Sequence, residues 1–231
     1  MIHHLLSPLL DLLYPRLCLA CSSDLPPPNE ILCVRCQYEL PETRQWLQVE
    51  NAFTEVFWGR VPISNGAALY FFSKTGRVQH LVHQLKYENK PEIGCQLGQR
   101  LGWELRHQTH FQIVEVVVPV PLHPNKYKTR GYNQAEVFGR GVATAMELPL
   151  WPTALVRTKN SMSQTRKTRQ DRALNVQQVF ALGEPERLVG KHVLLVDDVL
   201  TTGATLETCA RLITSLPGTK VSLATLAMAD D

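Results

Sequence analysis

Residues 193–205 read Val-Leu-Leu-Val-Asp197-Asp198-Val-Leu-Thr201-Thr202-Gly203-Ala204-Thr205. Two adjacent carboxylates directly follow an apolar run, and a Thr/Gly turn then opens the next segment. Each part has a chemical use. Backbone N–H groups of Thr202, Gly203, Ala204 and Thr205 at a helix N-terminus form a cradle for a terminal phosphate, with threonine hydroxyls, Thr201 included, as further donors and helix caps. Gly203 allows close approach of the backbone to the anion. Asp197 and Asp198 can accept hydrogen bonds from vicinal sugar hydroxyls and hold counter-charge near Mg²⁺. The ligand this describes is a phosphorylated ribose. A bare Asp-Asp would be no more than a pair of strand-end caps; the thirteen residues together say more.

A second chemical group lies at the start of the chain. Cys18-x-x-Cys21 and Cys33-x-x-Cys36 have metal-ligand spacing, with eleven residues between the pairs. Two such knuckles facing each other make a closed tetrahedral zinc site that stabilises a segment too short to bury a core of its own. Two disulfides are the other reading, and they require an oxidising compartment. Nothing near the N-terminus suggests export: residues 1–14 lack a basic start, Asp11 interrupts the leucines, and no small-residue cleavage site precedes Cys18. The expected location is cytoplasmic, and the leucine run is far short of the roughly 20 residues of a membrane span. Ser7 and Pro8 instead open a short amphipathic helix expected to pack on the knuckle or the main domain. Cys95 and Cys209 lack partners at ligand spacing and read as small buried residues.

The elements that must position these groups follow from periodicity. Val78, Leu81, Val82 and Leu85 repeat at helical spacing, as do Ile93, Leu97, Leu101 and Leu105, with a break at Asn89-Lys90-Pro91. Ile113 to Val120 and His192 to Val199 are β-branched or leucine runs of the kind a strand buried on both faces requires. Each is followed by a loop and a helix, near Asn133–Glu147 and then through Leu206, Cys209, Ile213 and Leu216; Lys220 to Met228 is a last strand. Alternating strands and helices predict an α/β protein with a Rossmann-like parallel sheet whose ligands lie beyond the carboxyl ends of the strands. The polar run Glu39–Glu50 reads as a linker, dividing the chain into residues 1–47, the helix and cysteine module, and residues 48–231, the main domain.

At 231 residues, 44% apolar and 19% charged, the chain is large enough for one ordinary core plus a small appendage. Its composition excludes disorder as the main state. The net charge of +3 conceals an asymmetry: residues 123–172 hold ten Lys/Arg against Glu136, Glu147 and Asp171, a zone of +7 that leaves −4 for the rest. A basic zone on a slightly acidic chain implies an anionic partner, phosphates on a small molecule or a nucleic-acid backbone. Lys126, Lys128 and Arg130, three cations within five residues, are consistent with a pyrophosphate.

The acidic-pair segment resembles the signature of phosphoribosyltransferases, which bind phosphoribosyl pyrophosphate (PRPP). By position, Val118 to Pro124 with Lys126, Lys128 and Arg130 resembles the pyrophosphate loop of these enzymes. Gln164-Thr165-Arg166-Lys167 through Arg172-x-x-Asn175 occupies the place of their mobile catalytic loop. Adding the leucine-rich start, the two CxxC pairs, Leu85-Lys86-Tyr87 and Arg130-Gly131-Tyr132-Asn133-Gln134-Ala135-Glu136, the whole chain resembles the ComF/GntX family. The resemblance implies a type I phosphoribosyltransferase domain behind a small zinc ribbon, binding of PRPP with Mg²⁺, catalytic roles for Asp197 and Asp198, and an association with competence and the use of external DNA.

The acceptor is open. Related purine salvage enzymes carry an Asp three residues after the acidic pair, where this chain has Thr201. No nucleophilic Cys follows Met1, so amination is expected to need ammonia or a partner. Two functions stay open: transfer of the phosphoribosyl group to an unidentified acceptor, or a non-catalytic adaptor that keeps the PRPP-binding fold and contacts single-stranded DNA or competence and DNA-uptake proteins.

Overall fold

The computed structural model describes residues 16–158 and 179–230. The expected N-terminal helix and the stretch holding Gln164, Thr165, Arg166, Arg172 and Asn175 lie outside the described residues. Four parallel strands form the central sheet, in the order β1 (Gly66–Phe72), β6 (Lys220–Ala229), β5 (His192–Leu200), β2 (Val116–Pro119). The period-two pattern sorts β5 between two cores. Leu194 and Val196 face one side with Val117, Ala224 and Leu226; Val193 and Leu195 face the other with Val116, Val118 and Leu223. Burial of both faces is what the unbroken apolar runs demand.

The first face is covered by α3 (Arg77–Tyr87), α4 (Pro91–Arg106) and α6 (Gln134–Met146), the second by α2 (Ala52–Glu55) and α8 (Ala204–Thr214). The two amphipathic helices fall where the periodicity placed them and part at Asn89, which takes a φ of 54°. Helices α4 and α6 meet backbone to backbone. A Cβ at Gly98 would stand 2.2 Å from the Phe138 carbonyl oxygen, so only glycine permits this approach.

Several expectations need correction. The run Glu39–Glu50 is not a solvated linker: Leu40, Gln45 and Trp46 are buried. Phe71 N–H donates to the Pro41 carbonyl at 2.8 Å and Thr43 N–H to that of Leu69 at 3.1 Å, so this stretch guards the open edge of β1. Residues 149–151 guard the β2 edge in the same way, through Val117 N–H to Pro149 O and Trp151 N–H to Val117 O, both 2.9 Å. The strand expected from Ile113 begins only at Val116, because Gln108 to Val114 is a turn that leaves Ile113 exposed. The basic loop after β2 is partly helical, as α5 (Pro124–Arg130), opened by His123 as cap and Pro124 in its first turn. A small antiparallel pair, β3 (Leu155–Arg157) and β4 (Phe180–Leu182), had no evident signal; a one-turn helix, α7 (Pro185–Leu188), precedes β5.

The cysteine module, with α1 (Val34–Glu39), docks on α3 and α4. Gln84 Nε2 donates to the Leu19 carbonyl at 2.6 Å, Ile31 N–H to Gln96 Oε1 at 3.0 Å, and Arg100 to the Gln37 carbonyl at 2.8 Å. Cys18, Ala20, Leu32, Cys33 and Cys36 join the first core. Among the described residues, no helix is long and apolar enough to cross a membrane.

Candidate functional site

Strand β5 delivers the acidic pair to the carboxyl end of the sheet, next to its neighbour β6, and the chain turns at once into α8. Asp197 and Asp198 are both partly buried. Burial first, and the adjacent Asp198 carboxylate second, push Asp197 up to about 8, against the pull of the Asp198 N–H, Lys86 and Lys126. The Asp198 N–H donates to Asp197 Oδ1 at 2.8 Å, fixing the first carboxylate over the backbone of the second. Lys86, on the last turn of α3, places Nζ 3.1 Å from Asp198 Oδ2.

Asp197, Val199 and residues 200–206 line a cavity of about 50 Å³, the scale of one phosphate group. Gly203 caps α8 with a φ of 75°, and among the described residues no side chain caps the first amides of the helix. The expectation that a threonine would cap α8 is therefore corrected: Thr201, Thr202 and Thr205 are exposed, and the orphan N–H groups remain available to an anion. Gly203 is fixed twice over, since beyond its positive φ a Cβ there would lie 3.0 Å from the Phe57 ring.

Glu207 in the first turn of α8 would repel a phosphate if unpaired. Burial disfavours its charge, yet Arg60 and Arg211 hold its carboxyl below the usual range. Arg60 Nη2 lies 2.6 Å from Glu207 Oε2 while Nη1 donates to the Thr202 carbonyl at 2.9 Å; Arg211 closes the ring by donating to the Arg60 carbonyl and to Glu207 Oε1. Arg60 thus screens the carboxylate and pins the loop, a role no pattern around residue 60 signals. Arg60→Ala is expected to weaken binding of a 5′-phosphate ligand about tenfold while lowering the melting temperature only modestly, as parallel titration and thermal melts would show.

The three cations after β2 do not act alike. Lys126 is exposed, and its charge reaches Asp197. Arg130, one helical turn on, bonds Gln134 Oε1 at 2.8 Å and lies 5.2 Å over the Tyr87 ring. Lys128 is exposed about 200° around α5 from Lys126 and does not share its face. Asn133 caps α6 through Ala135 N–H and bonds back to the Val120 carbonyl at 3.0 Å, tying the α6 start to the end of β2.

The thiols of Cys18, Cys21, Cys33 and Cys36 lie within 4.8 Å of one another, and all four are free. Cys21 and Cys33 Sγ are 3.8 Å apart. The edge of a tetrahedron with Zn–S bonds of about 2.3 Å is about 3.8 Å, so the donor set fits that ion in type and spacing. Burial pushes the Cys33 and Cys36 thiols up, which leaves their thiolates in need of a cation, whereas the Ser23 hydroxyl draws Cys21 down to about 6.

Sequence comparison matches the phosphoribosyl transferase domain family over residues 133–230. The DNA utilization protein YhgH of Escherichia coli K12 is 31% identical over 136 residues, 58% of this chain and 59% of that protein. Competence protein F of Haemophilus influenzae is 30% identical over 140 residues, 59% and 61% of the two chains. The match thus spans about three-fifths of the length of these curated relatives. Among solved structures, the glutamine PRPP amidotransferase of B. subtilis superposes with a TM-score of 0.44 at 17% identity, covering 63% of this chain and 30% of that one.

Proposed function

Because the chain belongs to the ComF family and carries its phosphoribosyl transferase domain, we propose that it binds PRPP and transfers the phosphoribosyl group to an acceptor in the use of DNA or the salvage of nucleotides. One observation carries this reading: at the end of β5, an acidic pair flanked by cations adjoins a helix N-terminus whose amides no side chain among the described residues caps. On this reading Thr201, Thr202, Gly203, Ala204 and Thr205 hold the 5′-phosphate, Asp197 and Asp198 orient the ribose hydroxyls, and Lys126 faces the diphosphate with Arg130 one helical turn on, whereas Lys128, expected from sequence to join them, is turned away by α5.

Displacement of pyrophosphate from the anomeric carbon passes through an oxocarbenium-like transition state. Charge placement then matters more than covalent catalysis. Mg²⁺, when bound, would neutralise the diphosphate and make it a better leaving group; Asp197 and Asp198 would be the carboxylates nearest to it, a reading supported by the cation, the Lys86 ammonium, that already stands 3.1 Å from Asp198. The cradle anchors one end of the substrate so that the bond to the diphosphate is presented at a fixed place.

For the cysteine module we propose structural zinc held by Cys18, Cys21, Cys33 and Cys36, on the match of thiol spacing to a tetrahedral site. With four protein ligands it has no open position and takes no part in the chemistry.

A second reading, a non-catalytic adaptor for nucleic acid or the DNA-uptake machinery, draws on the exposed Lys126 and Lys128 and on the relatives' names. The two readings separate cleanly. Transfer requires PRPP-dependent release of pyrophosphate with an acceptor drawn from bases, amines and nucleotide fragments; the adaptor requires DNA binding that falls steeply with salt and is indifferent to PRPP.

A further inference from the structure

The last turn of α3 lies outside both the acid-pair segment and the basic stretch after β2, yet it carries a cation into the site. Lys86 and Asp198 keep only 22% and 17% of their side chains exposed. A lysine at a helix C-terminus is well placed electrostatically whether it points to water or inward. Here it turns inward, onto a carboxylate that already shares its surroundings with a second one.

The backbone bearing Lys86 is anchored on both sides. The Tyr132 hydroxyl donates to the Leu85 carbonyl at 2.5 Å, and Arg130 stacks 5.2 Å over the Tyr87 ring. Both partners belong to the stretch after β2 that carries Lys126. Residues 85–87 therefore form a wall joining that stretch to the acid pair, with a mobile four-carbon side chain on a fixed base. A partly exposed ion pair adds little to the stability of a fold, so stability alone gives little reason for this arrangement.

We infer that Lys86 is a diphosphate-binding residue. In the free protein its ammonium neutralises Asp198; when a 5-phosphoribosyl 1-diphosphate and its divalent cation engage the acid pair, Lys86 moves from Asp198 to a diphosphate oxygen while its backbone stays in place. The inference rests on the PRPP reading above and adds a discrimination: Lys86 distinguishes ribose 5-phosphate with a 1-diphosphate from ribose 5-phosphate without one.

The test titrates the full-length, metal-loaded protein and its Lys86→Met and Lys86→Arg variants with Mg²⁺-PRPP, Mg²⁺-pyrophosphate and ribose 5-phosphate. Lys86→Met is expected to weaken PRPP and pyrophosphate at least tenfold, to leave ribose 5-phosphate within twofold, and to be largely rescued in Lys86→Arg. Equal weakening of all three ligands, no change for PRPP, or tighter PRPP binding would each overturn the inference, the last by making Lys86 a mere plug on Asp198. Should Lys86→Met fail to fold, Lys86→Gln reads the same comparison. Absence of PRPP binding in the unsubstituted protein would instead overturn the PRPP reading itself.

Discussion

Asp197→Asn is expected to make the free protein more stable at pH 8 while removing its affinity for PRPP. The cause is the price of a carboxylate placed for a ligand. Burial and the neighbouring Asp198 raise Asp197 from 3.8 to about 8. A carboxyl whose folded value lies above its unfolded one stabilises the fold fully below the unfolded value, and that contribution is lost as pH rises toward the folded one. The unsubstituted protein should therefore lose stability between about pH 4 and pH 8, and the amide, which cannot ionise, should not. At pH 8 the difference is on the order of 5 kcal/mol, or 10 °C or more in melting temperature for a chain of this size, and it should vanish near pH 4. Affinity moves the other way, by a hundredfold or more, because the amide supplies no negative charge to a cation or ribose hydroxyl. Melts at the two pH values beside a PRPP titration check both halves. A variant less stable than its parent at pH 8 would show that Asp197 is satisfied in the free fold.

Removal of the metal is expected to melt residues 16–40 and to disturb the site far from it. Structural zinc contributes on the order of 10 kcal/mol to small domains that depend on it. This module leans on the α/β body through Gln84, Gln96 and Arg100, so part of its order is shared. Cys36→Ser removes one thiolate from a fully buried position and should abolish stoichiometric zinc, expose the amides of residues 16–40 to hydrogen exchange, and lower the melting temperature by 10 °C or more. Because α3 carries both Gln84, which holds Leu19, and Lys86, which holds Asp198, PRPP affinity should fall as well. Purified protein without bound zinc, or a Cys36→Ser variant with unchanged exchange in residues 16–40, would refute the metal assignment.

The segments that could be read from sequence are those whose pattern is local. The double CxxC, the apolar runs of β5 and β6, the helix beginning near Asn133 and the acid pair each state their structure within a few residues. β1 could not be recognised, since Gly66-Ala67-Ala68 has little strand propensity and is held by its pairing with β6. Glu39–Glu50 looked polar because its outward residues are; the three that face inward, Leu40, Gln45 and Trp46, have no helical or strand period to betray them. Within the site, sequence supplied the cradle and the basic stretch but made Lys126, Lys128 and Arg130 equivalent, a distinction that appears only when α5 sets their directions. Lys86 and Arg60 lie more than a hundred residues from the groups they contact, and only tertiary structure brings them there.

The most direct measurement is calorimetric titration of the purified protein with PRPP in the presence of Mg²⁺, beside an Asp197→Asn/Asp198→Asn double variant shown to be folded. Binding in the micromolar range that is lost in the double variant is the expected result, and it turns what remains into a search for the acceptor. No heat from either protein would contradict PRPP binding and make DNA or uptake-machinery contacts through the basic stretch and the cysteine module the leading account.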